Sequence, residues 1–169
     1  LGGGFSNVID YSSPYSTLVG GQCNTISGDC THAFLGGGAS NTVGMDFAGV
    51  VGGQLNHAGG YGSFVVGGMY NSVVSGPFAI IVGGVSNYIE TSPFSRSYSG
   101  ILAGYGNRII GSSSDKSVIG GGMYNVIEYC SSSIIGSGYS NYIYGADYSA
   151  IAGGYDCVLQ GSYGFIGAG

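Results

Sequence analysis

Few residues in this 169-residue chain could carry out acid–base or nucleophilic chemistry. The chain holds eight Asp or Glu residues, three Lys or Arg residues, two His and four Cys. Carbohydrate hydrolases and lyases need a facing group of acids, or a basic residue beside them. The carboxylates here do not recur at one position of the repeat described below, and Asp147 and Asp156 are the only close pair late in the chain. We therefore expect solvated turn residues and no catalytic site.

The chain offers little that would hold a metal, a nucleotide or another cofactor. His32 and His57 are isolated in the sequence, which favours surface positions over metal ligation. The glycine runs 36–38 and 120–122 lack the Lys-Ser/Thr pair that completes a phosphate-binding loop. Cys23 and Cys30 flank one turn and could pair, but no disulfide framework is indicated, and Cys157 is predicted to be a small buried residue. The sequence predicts no cofactor and no metal site.

Tyrosine is the residue type with the most promise for binding, and the chain has 15 of them. Its flat apolar ring with a polar tip suits stacking on sugars. The same rings could equally cover glycine-rich backbone and fill a groove between chains, so both roles stay open. The candidates for glycan binding lie near the glycine pairs and turns of the repeat: Tyr98, Tyr105, Tyr139, Tyr142, Tyr148 and Tyr155.

A repeat with a period of 15 to 20 residues must position these side chains. Its motif is aliphatic, any, Gly, Gly, any, any, Asn, any, aliphatic. Such a period is typical of one solenoid coil rather than of a helical-pair repeat. An Asn at a repeated corner is typical of a side-chain hydrogen-bond ladder. The predicted ladder comprises Asn7, Asn24, Asn41, Asn56, Asn71, Asn87, Asn107, Asn125 and Asn141, with Cys157 in the tenth place.

Two aliphatic columns flank the Asn column and predict the inside of each coil. A small residue lies two places before the first column, as alternation along a narrow strand requires. The first Gly of each pair is replaced only by Ala103 and Ser137, which we interpret as a position that needs positive φ or a backbone that another chain approaches closely. The first column comprises Leu1, Leu18, Leu35, Val50, Val65, Ile81, Ile101, Ile119, Ile135 and Ile151, and Ile166 opens the next coil. The second comprises Ile9, Ile26, Val43, Ala58, Val73, Ile89, Ile109, Ile127, Ile143 and Leu159.

The strand that carries the first column is apolar on its outer side as well, with residues such as Phe34, Val66 and Ile80. A strand that is apolar on both sides is typical of one buried on both faces. We therefore expect something beyond the coil itself to cover this outer face.

The composition favours an all-β fold and excludes several partners. The chain has 37 Gly spread along its length, and each Gly in a helix costs about 1 kcal/mol relative to Ala. Three basic residues and a net charge of −5 are too few positive charges to bind nucleic acid or an anionic membrane surface. Its apolar runs are too short for membrane insertion.

We predict one domain over residues 1–169, a parallel β-solenoid (β-roll) of about ten coils.

The alternation of Ser-any-aliphatic-any-Gly-Gly with Asn-any-Ile-any-Gly resembles the left-handed parallel β-roll heads of trimeric autotransporter adhesins. It is also similar to repeats of phage and giant-virus fibre proteins, and the resemblance covers the whole chain. It implies a homotrimeric, elongated fibre segment for attachment, exposed outside the cell or on a virion. The implied partners are further copies of the chain and a cell-surface glycan.

Three alternative functions stay open. The chain could be a self-stacking subunit of an extracellular filament. A glycan-active β-helix enzyme would need clustered acids. An ice-binding solenoid would need a flat column of Thr or Ala, whereas the Thr cluster of Thr17, Thr25, Thr31 and Thr42 is confined to the first coils.

Irregular parts of the repeat carry two further expectations. The connections 90–98 and 112–116 belong to coils with extra residues, so we expect them to project from the shaft, where loops commonly carry recognition. The chain opens and closes inside its repeat motif, so we expect more coils or another copy to cover both end coils.

Overall fold

The computed structural model describes residues 2–94 and 97–169 and is a parallel β-solenoid of ten coils. Leu1 of the predicted first column and Arg96 of the predicted loop lie outside the described residues. In chain order the strands are β1 (Val8–Ile9), β2 (Thr17–Leu18), β3 (Thr25–Ile26), β4 (Phe34–Leu35), β5 (Thr42–Val43), β6 (Gly49–Val50), β7 (His57–Ala58), β8 (Phe64–Val65), β9 (Ser72–Ser75), β10 (Ile80–Ile81), β11 (Tyr88–Glu90), β12 (Gly100–Ile101), β13 (Arg108–Ile110), β14 (Val118–Ile119), β15 (Val126–Glu128), β16 (Ile134–Ile135), β17 (Tyr142–Tyr144), β18 (Ala150–Ile151), β19 (Val158–Gln160) and β20 (Phe165–Ile166).

Each coil adds one strand to each of two parallel sheets. The odd-numbered strands form one ten-stranded sheet and the even-numbered strands form the other. Residues in the same place of successive repeats pair directly, as Ile119 pairs with Ile135 and Ile127 with Ile143. Each coil therefore has two short strands, and the glycine pair lies in the connection between them. A third ladder of single bridges, from Phe5 to Tyr155, runs two residues before the Asn column and was not predicted.

The two aliphatic columns form the core, as predicted. Leu18 to Ile151 of the first column and Ile26 to Leu159 of the second are buried, while Ile9 and Ile166 in the end coils are partly buried. The small residues ahead of the first column also point inward. Ser117 and Ser133 are fully buried, and Ser117 Oγ donates a hydrogen bond to the Cys130 carbonyl at 2.8 Å. The narrow interior thus takes one aliphatic side chain from each sheet per coil.

The Asn column is a continuous hydrogen-bond ladder, as predicted. In the middle of the shaft, Asn125 Nδ2 donates to the carbonyl oxygens of Gly121 and Gly138, both at 3.0 Å. Asn125 Oδ1 accepts the backbone N–H of Asn141 at 3.0 Å. Each Asn from Asn24 onward is buried. The side chain therefore satisfies backbone groups of its own coil and of the next one, at a corner where the strand ladder is interrupted.

The ladder stops at Cys157, and restoring it is expected to stabilise the last coil. Cys157 N–H still donates to Asn141 Oδ1 at 3.1 Å, but a thiol cannot supply the two amide donors that the other coils use. Cys157→Asn would direct Nδ2 towards the carbonyl oxygens of Gly153 and Gly169. We expect a gain of about 1–2 kcal/mol, or a rise in Tm of roughly 2–8 °C, in a thermal melt. Cys157→Ala is the matched control and should leave Tm almost unchanged; an equal rise in both variants would contradict a hydrogen-bonding origin.

The glycine that the backbone of the single chain requires is the second of each pair, so the expectation of positive φ at the first Gly is wrong for most coils. A Cβ at Gly52, Gly67 or Gly121 would meet nothing within 4 Å, which explains why Ala103 and Ser137 are accepted at that position. Among the first glycines, only Gly3 and Gly37 have positive φ. The second glycines all have positive φ, with Gly122 at 84°, and a Cβ there would lie 2.2 Å from the Gly138 carbonyl oxygen. This carbonyl belongs to the next coil, so the second Gly sets the distance between coils.

Both long connections project only in part. In the first, Phe94 is 98% exposed, which agrees with a projecting loop, whereas Thr91 and Ser97 are buried. In the second, Ser114 is fully buried and its Oγ donates to the Ile110 carbonyl, so this connection folds back into its coil at that residue. The prediction of a projecting loop is therefore wrong for Thr91, Ser97 and Ser114, while Ser112 and Ser113 are exposed. Within residues 2–94 and 97–169, no helix has the length and apolar character needed to cross a membrane.

Candidate functional site

Rings form a column of stacked and edge-to-face contacts at the corner that precedes the even-numbered strands β2 to β12. Adjacent ring centroids lie 5.0 Å apart at the start of the column and 5.6 Å apart at its widest step. His32, expected to be isolated, is exposed but stacks between Tyr15 and Phe47. The column consists of Tyr15, His32, Phe47, Tyr61, Phe78 and Tyr98. Its members sit one coil apart, so their spacing follows that of the strands.

The six candidate tyrosines fall in three separate places. Tyr98 and Tyr148 lie at the corner just described, where Tyr98 stacks on Phe78 and Tyr148 on Tyr163. Tyr105, Tyr139 and Tyr155 lie in the bridge ladder next to the Asn column. Tyr142 lies in β17 of the odd-strand sheet. The structure therefore does not bring the six rings together into one binding surface.

Many of these rings direct their faces at one another. Tyr139 and Tyr155 are 5.2 Å apart and 6° from parallel, and Tyr148 and Tyr163 are 5.4 Å apart and 9° from parallel. A ring face covered by its neighbour is not available to a sugar on that side. Both roles that the sequence left open for these residues, covering backbone and stacking on sugars, stay predictions.

Three of the eight carboxylates share one position of the coil, although the eight together do not recur at one position. Asp46, Asp115 and Asp147 each lie two residues before the small inward residue. Asp46 Oδ1 accepts the N–H of Thr31, and Asp147 Oδ1 accepts the N–H of Ser131, both at 2.6 Å. These two acids cap the turn of the preceding coil, and Asp156 lies at the other corner, beside the Asn column. Asp147 and Asp156 are therefore turn residues at different corners.

A second group of carboxylates shares the outer side of the odd-strand sheet. Glu90 and Glu128 each lie three residues after an Asn of the ladder. Glu90 pairs with Ile110, and Ile110 pairs with Glu128, so the two acids are two strands apart in one column. Two strand spacings are roughly 9.6 Å. The sequence could have revealed this pair if residues had been counted from each Asn.

Both glutamates are held by tyrosine hydroxyls. The Tyr88 hydroxyl donates to Glu90 Oε2 at 2.6 Å, and the Tyr142 hydroxyl donates to Glu128 Oε2. Partial burial, together with the hydrogen bond to Glu90, raises the pKa of Tyr88 to about 12. Partial burial and the hydrogen bond to Glu128 likewise raise the pKa of Tyr142 to about 12. Both phenols therefore remain protonated donors at neutral pH.

A concave feature lined by several polar side chains lies on this side of the shaft. It is a cleft of about 760 Å³ between the loop that begins at Thr91 and strands β11, β13 and β15. Glu90, Arg108 and Glu128 line it, together with the rings of Phe94 and Tyr129. The guanidinium of Arg108 lies over the Tyr88 ring, 5.5 Å from its centroid. This cleft is the candidate binding site that the sequence did not identify.

The cysteines are free thiols, so the Cys23–Cys30 pairing left open by the sequence is not present. Cys30 and Cys130 are buried in the core, and burial raises the pKa of both thiols. Cys157 is half-buried rather than buried. Burial also lowers the pKa of His57. Among residues 2–94 and 97–169, no three His, Cys, Asp or Glu side chains come close enough together to hold a metal ion.

No protein-family model matches this chain, and no curated protein matches it at a significant level. The β-roll repeat itself is consistent with the solenoid described above.

Proposed function

We propose that this chain is a structural and adhesive fibre segment, an elongated shaft or head that acts in surface attachment as a homotrimer. The observation that carries the proposal is an uncovered apolar surface along the whole even-strand sheet. We name this surface the even-strand face. Its residues flank each inward aliphatic of the first column: Thr17, Val19, Phe34, Gly36, Gly49, Val51, Phe64, Val66, Ile80, Val82, Gly100, Leu102, Val118, Gly120, Ile134, Gly136, Ala150, Ala152, Phe165 and Gly167.

The composition of the even-strand face argues against its being a solvated surface. It has no charged residue, and Thr17 is its one polar residue. Val19, Val51, Ile80, Leu102 and Ile134 are all exposed in the single chain. Monomeric soluble proteins rarely expose contiguous apolar patches larger than a few hundred Å². Covering this face by association would also supply the burial that short, glycine-rich coils provide poorly by themselves.

Further copies of the same chain are the occupants that fit best. The face repeats at the strand spacing over ten strands, or about 43 Å from first to last. A second copy carries the same spacing over the same length, so side chains can interdigitate in register along the entire contact. The number of copies, three, comes from the resemblance to trimeric β-roll heads.

The same proposal assigns an extracellular or virion-surface location and a non-catalytic role. Asp46 and Asp147 cap turns, and Glu90 and Glu128 accept hydrogen bonds from tyrosines. These contacts give four of the eight carboxylates structural partners. The proposed partners are copies of the chain and a cell-surface glycan, with no nucleic acid and no membrane insertion.

Association through the even-strand face is tested by placing a charge at its centre. We expect the parent chain to have three times the 16.9 kDa chain mass in multi-angle light scattering, and Ile134→Lys to give the single-chain mass. Burying an unpaired ammonium costs several kcal/mol of association free energy. This cost far exceeds that of removing one buried methyl group from an interface. The control is Val74→Lys, which places the same charge on an exposed valine of the odd-strand sheet. A parent chain that is monomeric, or an Ile134→Lys variant that keeps the parent mass, would contradict the proposal.

A further inference from the structure

We propose that the cleft lined by Glu90, Arg108 and Glu128 binds a neutral oligosaccharide. The inference deepens the adhesive part of the proposed function and rests on it for its biological meaning. The site lies on the odd-strand sheet, away from the even-strand face, so association of copies leaves it open.

The size and lining of the cleft suit a small organic ligand. Its volume of about 760 Å³ falls within the ~300–1,000 Å³ usual for such sites. Val74, Ile110 and Pro93 give it apolar walls, and the polar groups are few and grouped on neighbouring strands. A mostly apolar cleft with a small set of fixed polar groups is the general form of a specific ligand site.

Two aromatic rings provide stacking surfaces for a pyranose. Phe94 is 98% exposed at the loop and has no core role that would explain an apolar ring there. Tyr129 lies against the backbone of Gly111, whose missing Cβ would be 2.6 Å from the Tyr129 ring. Tyr144 contacts the Tyr129 ring edge-on, with centroids 6.1 Å apart. Tyr129 is thereby fixed in place while remaining 49% exposed, which is the preorganisation that a sugar platform needs.

The charged groups are placed to accept and donate several hydrogen bonds. Glu90 and Glu128 each receive one tyrosine hydroxyl, which orients the carboxylate and leaves further lone pairs for ligand hydroxyls. The pairing order Tyr88–Arg108 and Glu90–Ile110 puts Arg108 on the strand next to Glu90. The guanidinium supplies donors, so the cleft contains the acceptor and donor types that a vicinal diol requires.

The charge balance favours a neutral ligand. Two carboxylates and one guanidinium leave a net negative cleft, which disfavours an acidic sugar or a phosphate. A metal ion is also disfavoured, because no group of three His, Cys, Asp or Glu side chains among the described residues is placed to hold one. A polyhydroxylated neutral chain satisfies the stacking and hydrogen-bonding groups without adding charge.

The test is isothermal titration calorimetry on the complete chain with hexasaccharides of glucose, mannose and N-acetylglucosamine, and with a galacturonic acid hexasaccharide. We expect at least one neutral hexasaccharide to bind with a Kd below about 1 mM, and the acidic one to bind about tenfold more weakly or not at all. Phe94→Ala and Tyr129→Ala should each weaken the neutral ligand by about tenfold or more.

Matched controls separate the cleft from general effects of losing a ring. Tyr124 has the same left-handed backbone as Tyr129 and is 44% exposed, but it lies next to the Asn column. Tyr11 is fully exposed and is the counterpart of Phe94. Tyr124→Ala and Tyr11→Ala should bind as the parent chain does. The inference is overturned if no neutral hexasaccharide binds, if the acidic one binds more tightly, or if the cleft variants bind as well as the controls.

The same samples keep this inference distinct from the proposed function. Light scattering before each titration gives the oligomeric mass. An oligomer that binds no sugar overturns the cleft alone, whereas a monomer that binds neutral sugar through Tyr129 overturns the trimeric shaft and leaves the cleft standing.

Discussion

Ile135→Asp, and equally Ile119→Asp, is expected to prevent the chain from folding. Both side chains have 0% exposure and stack on each other in the first aliphatic column. A carboxylate there would be buried without a partner in the middle of the shaft, at a cost of several kcal/mol even after relaxation. Because the free energy of unfolding of a protein is about 5–15 kcal/mol, one such change removes much or all of that stability. Loss of the β-type circular dichroism spectrum and of a cooperative melt would be the observed result.

The control for that experiment is Val74→Asp. Val74 is exposed on the odd-strand sheet and directly follows the fully buried Val73 in β9, so it tests whether one added charge in a middle coil is harmful in itself. A surface change of this kind usually alters stability by about 0.5 kcal/mol or less. An Ile135→Asp variant that melts like Val74→Asp would show that the first column is not the core.

The core and the Asn ladder could be predicted because residues one repeat apart in the sequence are neighbours in a solenoid. Ile109, Ile127 and Ile143 stack in space because each occupies the same place in its own repeat. Counting along the chain therefore gives the contacts directly, with no need to solve a long-range packing problem. The same holds for the Asn column, in which each side chain bonds to the residue in the same place of the next coil, as Asn125 does to Asn141.

The cleft could not be predicted, because it depends on where the repeat is irregular. The coil between Asn87 and Asn107 is the longest, and its extra residues form the loop that carries Phe94 above Arg108 and Tyr129. The repeat period predicts that extra residues leave the coil. It does not predict which side of the shaft the resulting loop covers. The shared column of Glu90 and Glu128 was recoverable from the sequence, whereas the cleft above it was not.

The stacked rings show a second limit of sequence pattern. A column of aromatic residues predicts that rings will lie near one another, but not whether their faces meet each other or solvent. His32 lies nearly parallel to Phe47, with ring centroids 5.0 Å apart. His32 and Phe47 both have left-handed backbone. Among residue types only Gly indicates such a backbone reliably, so the sequence did not predict it at these two positions.

Gly122→Ala is expected to destabilise the shaft strongly, whereas Gly121→Ala should be tolerated. The sequence pattern drew attention to the first Gly because Ala and Ser replace it in two coils. Such a replacement shows that there is space for a side chain, not that Gly is required. At Gly122 the added methyl group would overlap the Gly138 carbonyl oxygen of the next coil, and φ is 84°. The strain and the forced separation of coils amount to about 2–5 kcal/mol, a fall in Tm of roughly 5–15 °C. At Gly121 a Cβ meets nothing within 4 Å, so Ala there should leave Tm unchanged or slightly raised. Equal melting temperatures for the two variants would mean that the second Gly does not set the coil spacing.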